Sequence, residues 1–484
     1  MHYHLIGIAG TAMGSLAGLL RAKGHRVTGS DSGVYPPMST QLEQLDIEYA
    51  SEFSPDNLEP APDLVVVGNA ISRGNPELEA VLERRLRYTS AANVIKEEFL
   101  RGRHVVAVAG THGKTTTTSL IAWLLESAGL NPSFLIGGIA ENFGASFRLN
   151  DAEHFVIEAD EYDTAYFDKG PKMWHYLPWT AVLTNIEFDH ADIYRDDIAY
   201  RFAFERFVNL VPRTGTLVVG WDTAVARELA GKSFAPVESV DLDSSAPVPA
   251  TGIRKPESRI PDPSHPRWRA VDVEYGPDGS TFDVLHDGGS MGSVAMPLTG
   301  AFNVRNALAA IAAAHAVGAG WDTIVAGLCT FRSVRRRMEI AGVARGVTVI
   351  DDFAHHPTAV RETVEAVRQR FAGQRVVAIF EPRSYTAQRR EFQEPYRQAL
   401  GAADRVVLAG LFHPERYDAQ TGMNPEELTA SLRNDGVPAD YIPEVDRIVE
   451  TIVPEARDGD ILLVMSNGGF GDIHRKLLAA LEQK

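Results

Sequence analysis

Residues 107–120, AVAGTHGKTTTTSL, have the residue types and the spacing that bind nucleotide phosphates. An apolar strand pattern leads into a glycine-rich turn, and a run of threonines then opens a helix. Backbone N–H groups in such a turn form an anion site with the positive end of the helix. Lys114 would reach the outer phosphates, and the Thr115 hydroxyl would bind Mg²⁺. The longer pattern G-x-x-x-x-G-K-T requires glycine where this chain has Val108, so a turn that binds nothing is the alternative.

Two later stretches end strand patterns in acidic residues: VIEADEYD at 156–163 and TNIEFDHADIY at 184–194. Open α/β sheets place ligands at the C-terminal ends of their strands. Because Mg²⁺ often takes one or two carboxylates beside phosphate oxygens, we expect Glu158, Asp160 and His190 to serve a metal. The alternative is that these are solvated acids at strand ends.

Two further motifs are candidates for contacts to the same nucleotide. TGAFNVRN places Asn303, followed by a second asparagine three residues later, at the start of a helix. Asn303 either caps that helix or reads an adenine edge. SVRRRMEI, residues 333–340, contains three adjacent arginines at an expected domain boundary. Such a run is a solvated face or, in a domain cleft, a contact for the γ-phosphate.

Polar residues also follow the strand patterns of the last third of the chain. VIDDFAHHPTAV contains Asp351, Asp352, His355 and His356, which is weak evidence for a metal site. FEPRSYT and VMSNGGFGDIH end two later strands, where we expect them to line a substrate pocket.

The N-terminal turn GIAGTAMG has the glycine spacing G-x-x-G-x-x-x-G, beginning at Gly7 and Gly10. The dinucleotide fingerprint is G-x-G-x-x-G, so this is weak evidence for NAD. Asp31, at the end of the second strand pattern, lies where an acid would bind a ribose. A plain tight turn is one interpretation, and the pyrophosphate of a UDP-sugar is the other.

Bulk composition narrows the class of protein. The 484 residues give a net charge of −17, which argues against nucleic-acid binding through phosphate contacts. Cys329 is the single cysteine, so an intrachain disulfide is excluded. The sequence has neither the pattern of a signal peptide nor a membrane-spanning apolar run. We therefore expect a cytoplasmic protein without a membrane or nucleic-acid partner.

Apolar strand patterns alternate with helical patterns along the whole chain, which predicts parallel α/β sheets. We expect three domains: a Rossmann-like domain over 1–99, a P-loop ATPase-type domain over 100–332 and a second Rossmann-like domain over 333–484. The proline-rich segment 244–269 is predicted to be a loop or an irregular ribbon.

The glycine turn, GTHGKTTTT, EADEYD, NIEFDHADIY, FNVRN, RRRMEI and DDFAHHPTAV together resemble, in this order, the motifs of the Mur ligase family. The resemblance spans nearly the whole chain. It implies an ATP- and Mg²⁺-dependent ligase that forms a carbon–nitrogen bond in peptidoglycan metabolism. It also implies that the first domain binds UDP-N-acetylmuramate, the second ATP, and the third the incoming amine.

The resemblance assigns roles position by position. The catalytic residues would be Lys114, His190 and Arg337, and the metal ligands would be Thr115, Glu158 and His190. ATP would contact Gly110, Thr111, His112, Gly113, Lys114, Thr115, Thr116, Asn303, Arg337 and Asp352. The UDP-sugar would contact Gly7, Gly10, Asp31, Asn142 and Gly144. From their places at strand ends, we add Arg383, Ser384 and Asn467 as peptide contacts.

Other stretches, among them SDSGVYPPMST and GNAISRGNPE, resemble most closely the branch of the family that recycles murein. The acceptor expected there is L-Ala-γ-D-Glu-meso-diaminopimelate. Free L-alanine as the acceptor, an ATP-dependent protein that ligates nothing and an NAD-dependent oxidoreductase are the alternatives. We expect a monomer or a weak homo-oligomer.

Two positions depart from the family pattern. Many relatives have a carbamylated lysine about fifteen residues after the histidine that matches His190. This chain has Glu205 at that spacing, and Glu205 is a candidate carboxylate for the second metal. Phe302 replaces the histidine that commonly precedes Asn303.

Overall fold

The structure is a computed structural model, and it describes residues 1–35, 38–189, 193–242, 266–412, 415, 417–418 and 420–483. Three main sheets follow one another along the chain. They define an N-terminal, a central and a C-terminal domain, which confirms the predicted α/β class. None of the helices in these ranges is long and apolar enough to cross a membrane.

The N-terminal domain has a five-stranded parallel sheet. Its strands are β1 (His2–Ile6), β2 (Arg26–Ser30), β3 (Glu48–Ala50), β4 (Leu64–Val67) and β5 (Tyr88–Ser90), in the order β3-β2-β1-β4-β5. Its helices are α1 (Thr11–Ala22), α2 (Met38–Gln44), α3 (Pro76–Glu83) and α4 (Ala91–Ile95). In β4, Val66 packs into one apolar cluster while Val65 and Val67 pack into another. Both faces of the sheet are therefore covered, which explains the continuous apolar run of this strand.

The central domain is built on a ten-stranded sheet. Its strands are β6 (His104–Ala109), β7 (Ser133–Ala140), β8 (Ala145–Arg148), β9 (His154–Glu158), β12 (Thr180–Leu183), β13 (Thr216–Gly220), β14 (Val237–Leu242), β15 (Trp268–Gly276), β16 (Gly279–His286) and β17 (Gly289–Met296); β10 (Asp163–Ala165) and β11 (Asp168–Pro171) form a separate hairpin. Its helices are α5 (Lys114–Ser127), α6 (Asp197–Val208), α7 (Ala224–Ala230), α8 (Ala301–Val317) and α9 (Trp321–Cys329). The order is β17-β16-β15-β14-β13-β12-β6-β9-β7-β8, so β6 lies between β12 and β9 and pairs in parallel with both.

The C-terminal domain has a six-stranded sheet in the order β18-β19-β23-β20-β21-β22. The strands are β18 (Glu339–Ala344), β19 (Val347–Asp352), β20 (Val376–Phe380), β21 (Arg405–Leu408), β22 (Ala439–Tyr441) and β23 (Ile461–Met465). The helices are α10 (Pro357–Arg370), α11 (Gln393–Leu400), α12 (Pro425–Asn434), α13 (Val445–Glu455) and α14 (Ile473–Gln483). Only the edge strand β18 runs antiparallel to its neighbour. The carboxyl ends of β19, β23 and β20 therefore lie side by side.

Two parts of the central domain differ from the sequence prediction. The strand pattern that runs into TNIEFDHADIY ends at Leu183. Thr184 still donates its N–H to Ala109 at the end of β6, but its hydroxyl and the Asn185 side chain bond to the glycine-rich loop. The antiparallel β15–β17 meander was not predicted. Most of the proline-rich segment lies outside the described residues, and its last two residues belong to β15.

Candidate functional site

The glycine-rich loop joins β6 to α5, as the sequence predicts, and two of its glycines have conformations that other residues rarely adopt. Gly110 has φ +134°, and a Cβ there would lie 2.1 Å from Thr184 Oγ1. Gly113 has φ +80° and directly precedes α5; a Cβ there would lie 2.3 Å from Asn306 Oδ1. Glycine is needed at both positions because neighbouring polar groups approach the backbone closely.

Lys114 begins α5, and its ammonium group folds back over the loop. Its Nζ donates to the Gly110 carbonyl at 2.6 Å and to the Thr111 carbonyl at 3.2 Å. It also forms an ion pair at 2.9 Å with Glu161, whose side chain is fully buried. Burial disfavours the charge, but the carboxylates of Glu161 and Asp160 raise the pKa of Lys114 above its ordinary value. Lys114 is therefore held as a cation over the glycine-rich loop.

Thr115, Glu158 and Arg337 converge beside this lysine. The Thr115 hydroxyl donates to Glu158 Oε1 at 2.9 Å, and the Gly137 N–H donates to Glu158 Oε2 at 2.7 Å. An Arg337 Nη2 atom from the start of the C-terminal domain lies 3.4 Å from Thr115 Oγ1. Burial, with the nearby charge of Asp160, raises the pKa of Glu158. A hydroxyl and a buried carboxylate are hard oxygen donors, so this pair fits Mg²⁺.

The segment after β12 forms hydrogen bonds with the backbone of the glycine-rich loop, residues 110–113, which is called the phosphate loop from here on. The Asn185 carbonyl and side-chain Oδ1 accept from the N–H groups of Thr111 and His112, at 3.0 and 2.8 Å. The Thr184 hydroxyl donates to the His112 carbonyl at 2.6 Å. The Thr111 hydroxyl bonds both backbone groups of Glu187 at 2.9 Å. These contacts fix the shape of the phosphate loop before any ligand is bound.

A cavity of about 440 Å³ opens beside this loop, between the central and C-terminal domains. Its walls include His112 and Gly113 from the loop, Asn306 from α8 and Thr358 from α10. Asn303 does not line it, and its Nδ2 donates to the Thr299 carbonyl at 2.9 Å. The Asn306 Nδ2 is buried without a hydrogen-bond partner among the described residues. Of the two asparagines in the FNVRN motif, the structure thus turns the second toward the cavity.

Arg337 lies in a tight turn that Asp352 holds. One Asp352 oxygen accepts from the Met338 N–H and the other from the Ala354 N–H, both at 2.8 Å. Asp352 is 4% exposed, and burial raises its pKa although the charge of Arg337 acts in the opposite direction. In this structure Asp352 therefore positions the arginine turn. Thr116, also assigned to the nucleotide, is buried in the first turn of α5.

His112, Glu187 and His356 form a group whose ligand atoms all lie within 4.8 Å of one another. His112 Nε2 is 3.1 Å from Glu187 Oε2, and His356 Nδ1 is 3.8 Å from the same oxygen. Burial lowers the pKa of His356 to about 4. Burial would raise the pKa of Glu187, but the hydrogen bond from His112, the neighbouring His356 and the hydrogen bond from Thr358 lower the value to about 2. Sequence reasoning missed Glu187, although it lies within the NIEFDHADIY motif.

The four residues of the DDFAHH motif do not assemble into one site. Asp351 faces Arg336 and His474, with Asp351 oxygens 3.1 Å from Arg336 Nε and 3.2 Å from His474 Nε2. His356 instead caps α10, where its Nδ1 accepts from the Thr358 N–H at 3.4 Å. The weak sequence indication of a metal site over the whole motif therefore has no geometric support.

The N-terminal glycine turn is shaped by Asp31. Its carboxylate accepts from the Ala9 N–H at 3.0 Å and from the Gly33 N–H at 3.3 Å. Gly7 has φ +86°, and Gly10 immediately precedes α1. This turn therefore presents a helix N-terminus beside a carboxylate, as the sequence predicts for a strand–turn–helix unit.

Asn142 and Gly144 occupy the turn between β7 and β8. Asn142 donates to the Thr330 carbonyl at 2.9 Å and accepts from the Arg332 N–H at 2.7 Å. Gly144 has φ +64°, and no atom lies within 4 Å of a Cβ built on it. On β8, Ser146 bonds Ser15 of α1 at 2.9 Å, which brings this turn against the N-terminal domain.

Arg383 and Asn467 follow β20 and β23, which are neighbouring strands. The Arg383 guanidinium lies 3.7 Å from the centre of the Phe412 ring, and its Nη1 is 3.9 Å from Glu381 Oε1. The Asn467 Oδ1 is buried without a hydrogen-bond partner in the described ranges. The Ser384 hydroxyl accepts from the Ala387 N–H at 3.0 Å and so fixes its own loop.

Three predicted metal residues remain. His190 lies outside the described residues. Asp160 lies 3.8 Å from Lys172 Nζ and contributes its charge to the surroundings of Lys114 and Glu158. Glu205 on α6 pairs with Lys232 at 2.8 Å, so its carboxylate already has a cationic partner.

Comparison with known proteins gives the family. The model of the Mur ligase family catalytic domain matches residues 2–102, the Mur ligase middle domain matches 108–314, and the Mur ligase glutamate ligase domain matches 336–468. The three matches follow the three sheets in order.

The relatives match over their whole length. The UDP-N-acetylmuramate–L-alanyl-γ-D-glutamyl-meso-2,6-diaminoheptandioate ligase of Escherichia coli K12 is 43% identical over 100% of this chain and 99% of its own. The UDP-N-acetylmuramate–L-alanine ligase of a Roseiflexus species is 35% identical, again over 100% of both chains. The crystal structure of a murein peptide ligase from Psychrobacter arcticus has a TM-score of 0.72 and 38% identity, covering 100% of this chain and 99% of that one. The chain belongs to the Mur ligase family.

Proposed function

We propose that this protein uses ATP to join UDP-N-acetylmuramate to L-Ala-γ-D-Glu-meso-diaminopimelate in the recycling of peptidoglycan in the cytoplasm. The observation that carries the proposal is the 43% identity, over the entire chain, to a relative named for that reaction. The convergence of Lys114, Thr115, Glu158 and Arg337 on one point between two domains supports it independently.

The reaction needs activation because a carboxylate does not condense with an amine in water. A lactyl carboxylate oxygen of UDP-N-acetylmuramate attacks the γ-phosphorus of ATP, and the bond to the ADP oxygen breaks. The L-alanine amine of the tripeptide then attacks the carbon of the acyl phosphate. The new amide forms as phosphate leaves with the bonding electron pair, and the amine loses a proton.

Lys114 and Arg337 approach the phosphoryl group from two domains and neutralise charge as it transfers. Losing one such preorganised group typically costs roughly 3–4 kcal/mol of transition-state stabilisation. Thr115, Glu158 and His190 would hold Mg²⁺, which supplies further charge neutralisation at the phosphates when bound. Of the other residues assigned to the nucleotide, Gly110, Thr111, His112 and Gly113 would contact it as the glycine-rich loop, and Thr116 lies in the first turn of the helix that follows. Asp352 acts by holding the turn of Arg337, and Asn306 lines the cavity in place of Asn303.

Each domain has its own substrate in this proposal. The domain over 1–99 binds the UDP part at Gly7, Gly10 and Asp31, and the domain over 100–332 binds ATP. Asn142 and Gly144 lie where the central domain meets α1, so they would contact the sugar.

The domain over 333–484 binds the peptide. Arg383, stacked on Phe412 and close to Glu381, is suited to a peptide carboxylate. Asn467 has a buried oxygen suited to an N–H group. A monomer or a weak homo-oligomer suffices, since one chain contains all of these groups.

The experiment is phosphate release with ATP, Mg²⁺ and UDP-N-acetylmuramate, with tripeptide or L-alanine as the acceptor and the product mass as a check. We expect turnover with the tripeptide and at least tenfold less with L-alanine. A preference for L-alanine would instead indicate the activity for which the 35% identical relative is named. Phosphate release that needs no UDP-sugar would indicate an ATPase without ligase activity.

A further inference from the structure

Glu187 bonds both the phosphate loop of its own domain and the C-terminal domain with one side chain. Its Oε2 accepts from His112 Nε2 at 3.1 Å, within the phosphate loop. Its Oε1 accepts from the Thr358 hydroxyl at 2.7 Å, in the first turn of α10 of the C-terminal domain. The two oxygens of one carboxylate therefore face opposite sides of the domain junction.

The backbone of Glu187 is fixed by the same loop. The Thr111 hydroxyl donates to the Glu187 carbonyl and accepts from its N–H, both at 2.9 Å. A displacement of Glu187 therefore moves Thr111 and His112 together. Since Lys114 Nζ is held by the carbonyls of Gly110 and Thr111, such a displacement also reaches the catalytic lysine.

The residues of this contact also form the wall of the nucleotide cavity. His112, Glu187 and Thr358 all line the 440 Å³ space. The Glu187 side chain is 42% exposed, so its contribution comes from bond geometry rather than from burial of charge. Like an ordinary glutamate it is ionised at neutral pH, and its hydrogen bond from His112 lowers its pKa further.

We propose that Glu187 is a positioning residue that couples docking of the C-terminal domain to the geometry of the phosphate loop. The two hydrogen bonds of Glu187, to His112 and Thr358, are called the His112–Glu187–Thr358 clasp. This clasp holds Lys114 at a fixed position relative to Arg337 when that domain is docked. Both charges then reach the transferring phosphoryl group together. This inference rests on the proposed function, because its readout is turnover in the same assay.

A metal ion held by His112, Glu187 and His356 is the competing interpretation of these contacts. It is less well supported because each carboxylate oxygen of Glu187 already accepts a hydrogen bond. His356 Nδ1 likewise accepts from the Thr358 N–H as the cap of α10.

The test compares Thr358→Val, which removes only the hydroxyl on the C-terminal side, with Glu187→Gln. We expect each to lower kcat about 5- to 20-fold while KM for ATP changes less than threefold. The double variant should be no slower than Glu187→Gln alone, because both changes break one clasp. Melting temperatures within about 2 °C of the wild type would show that folding is intact.

Glu362→Gln is the matched control. Glu362 also lies on α10 and pairs across the same junction, but with Arg305 of α8 rather than with the phosphate loop. We expect its effect on turnover to combine additively, in free energy, with that of Glu187→Gln, because the two pairs share no partner.

The outcomes separate the two proposals. Wild-type enzyme without ligation would overturn the proposed function. If the wild type ligates, a Thr358→Val variant with unchanged kcat, or one whose effect adds to that of Glu187→Gln as the effect of Glu362→Gln does, would overturn the clasp. Tight binding of Zn²⁺ alone, lost on His356→Gln, would replace the clasp with a metal site.

Discussion

The phosphate loop and the loops after β20 and β23, which we propose contact the peptide, differ in how completely their polar groups have hydrogen-bond partners. Around the phosphate loop, Lys114 has three acceptors and the loop backbone is held by the segment after β12. After β20 and β23, by contrast, Arg383 has one distant carboxylate, and the Asn467 oxygen has no hydrogen-bond partner in the described ranges. The protein itself therefore holds the polar groups of the phosphate loop in place, whereas the loops after β20 and β23 keep polar atoms available for a substrate.

The largest expected effect is that of a substitution beside the phosphate loop. Lys114→Ala should reduce kcat by ~10²–10³ because a cation fixed at the transferring phosphoryl group is lost. Steady-state phosphate release with the tripeptide measures this. Lys476→Ala is the matched control, since Lys476 pairs with Asp446 on the surface of the C-terminal domain, and it should turn over within twofold of the wild type. Near-normal activity of Lys114→Ala would contradict the assigned site.

The next largest effect is expected from changing the proposed metal ligand Glu158. Glu158→Gln keeps the side-chain shape but removes the charge, so apparent Mg²⁺ affinity should fall by at least roughly 10–100-fold, the cost of losing even an outer-shell partner. A Mg²⁺ titration of turnover checks this, and chelation with EDTA should abolish activity in the wild type. Glu394→Gln, at an exposed ion pair with Arg397, serves as the control. An unchanged Mg²⁺ requirement would remove Glu158 from the metal site.

A substitution in the loop after β20 should weaken binding of the acceptor peptide alone. Arg383→Ala should raise KM for the tripeptide by roughly 10–100-fold, because a hydrogen bond to a charged group contributes roughly 1.5–3 kcal/mol. KM for ATP should stay within twofold. Arg368→Ala, which loses only an exposed pair with Asp404, is the control. Equal rises in both KM values would show that Arg383 supports the fold rather than reading the peptide.

The smallest effect concerns stability. His356 is neutral when folded because burial, then the charge of His112, lowers its pKa from 6.5 to about 4, although Asp189 and Glu187 act in the opposite direction. The unfolded chain therefore binds the extra proton first, and stability is lost as pH falls from 6.5 toward 4. The loss should be about 1 kcal/mol at pH 5.5 relative to pH 8. Denaturant unfolding of the wild type and His356→Gln checks this, and equal pH slopes for the two would contradict it.

The sequence predicted the fold better than it predicted side-chain directions. Continuous apolar runs such as LVVV and ILLVM identify buried parallel strands, because both faces must be covered. The family resemblance also predicted that Thr115 and Glu158 share a metal, and the structure brings these two side chains into hydrogen-bond contact. That Asn306 rather than Asn303 lines the cavity depends on the rotation of α8 about its axis, which packing determines.

Glu187 shows a second limit of prediction from sequence, which concerns contacts between domains. Its motif was recognised, but attention fell on the histidine three residues later, and the partner Thr358 lies 171 residues away in sequence. A contact across two domains has no local signal in one chain. The role of Asp352 was also not predictable from sequence. A carboxylate at a strand end can either contact a ligand or accept hydrogen bonds from the backbone, and only its neighbours in the structure distinguish these roles.

The account's central claim is that this chain activates a carboxylate by phosphorylation and passes it to a peptide amine. The most direct measurement uses UDP-N-acetylmuramate with ¹⁸O in its lactyl carboxylate, ATP, Mg²⁺ and the tripeptide. Mass spectrometry of the released phosphate should find one ¹⁸O atom for each amide formed, because one carboxylate oxygen leaves with the phosphoryl group. Unlabelled phosphate, released with or without the tripeptide, would contradict the claim and leave an ATPase.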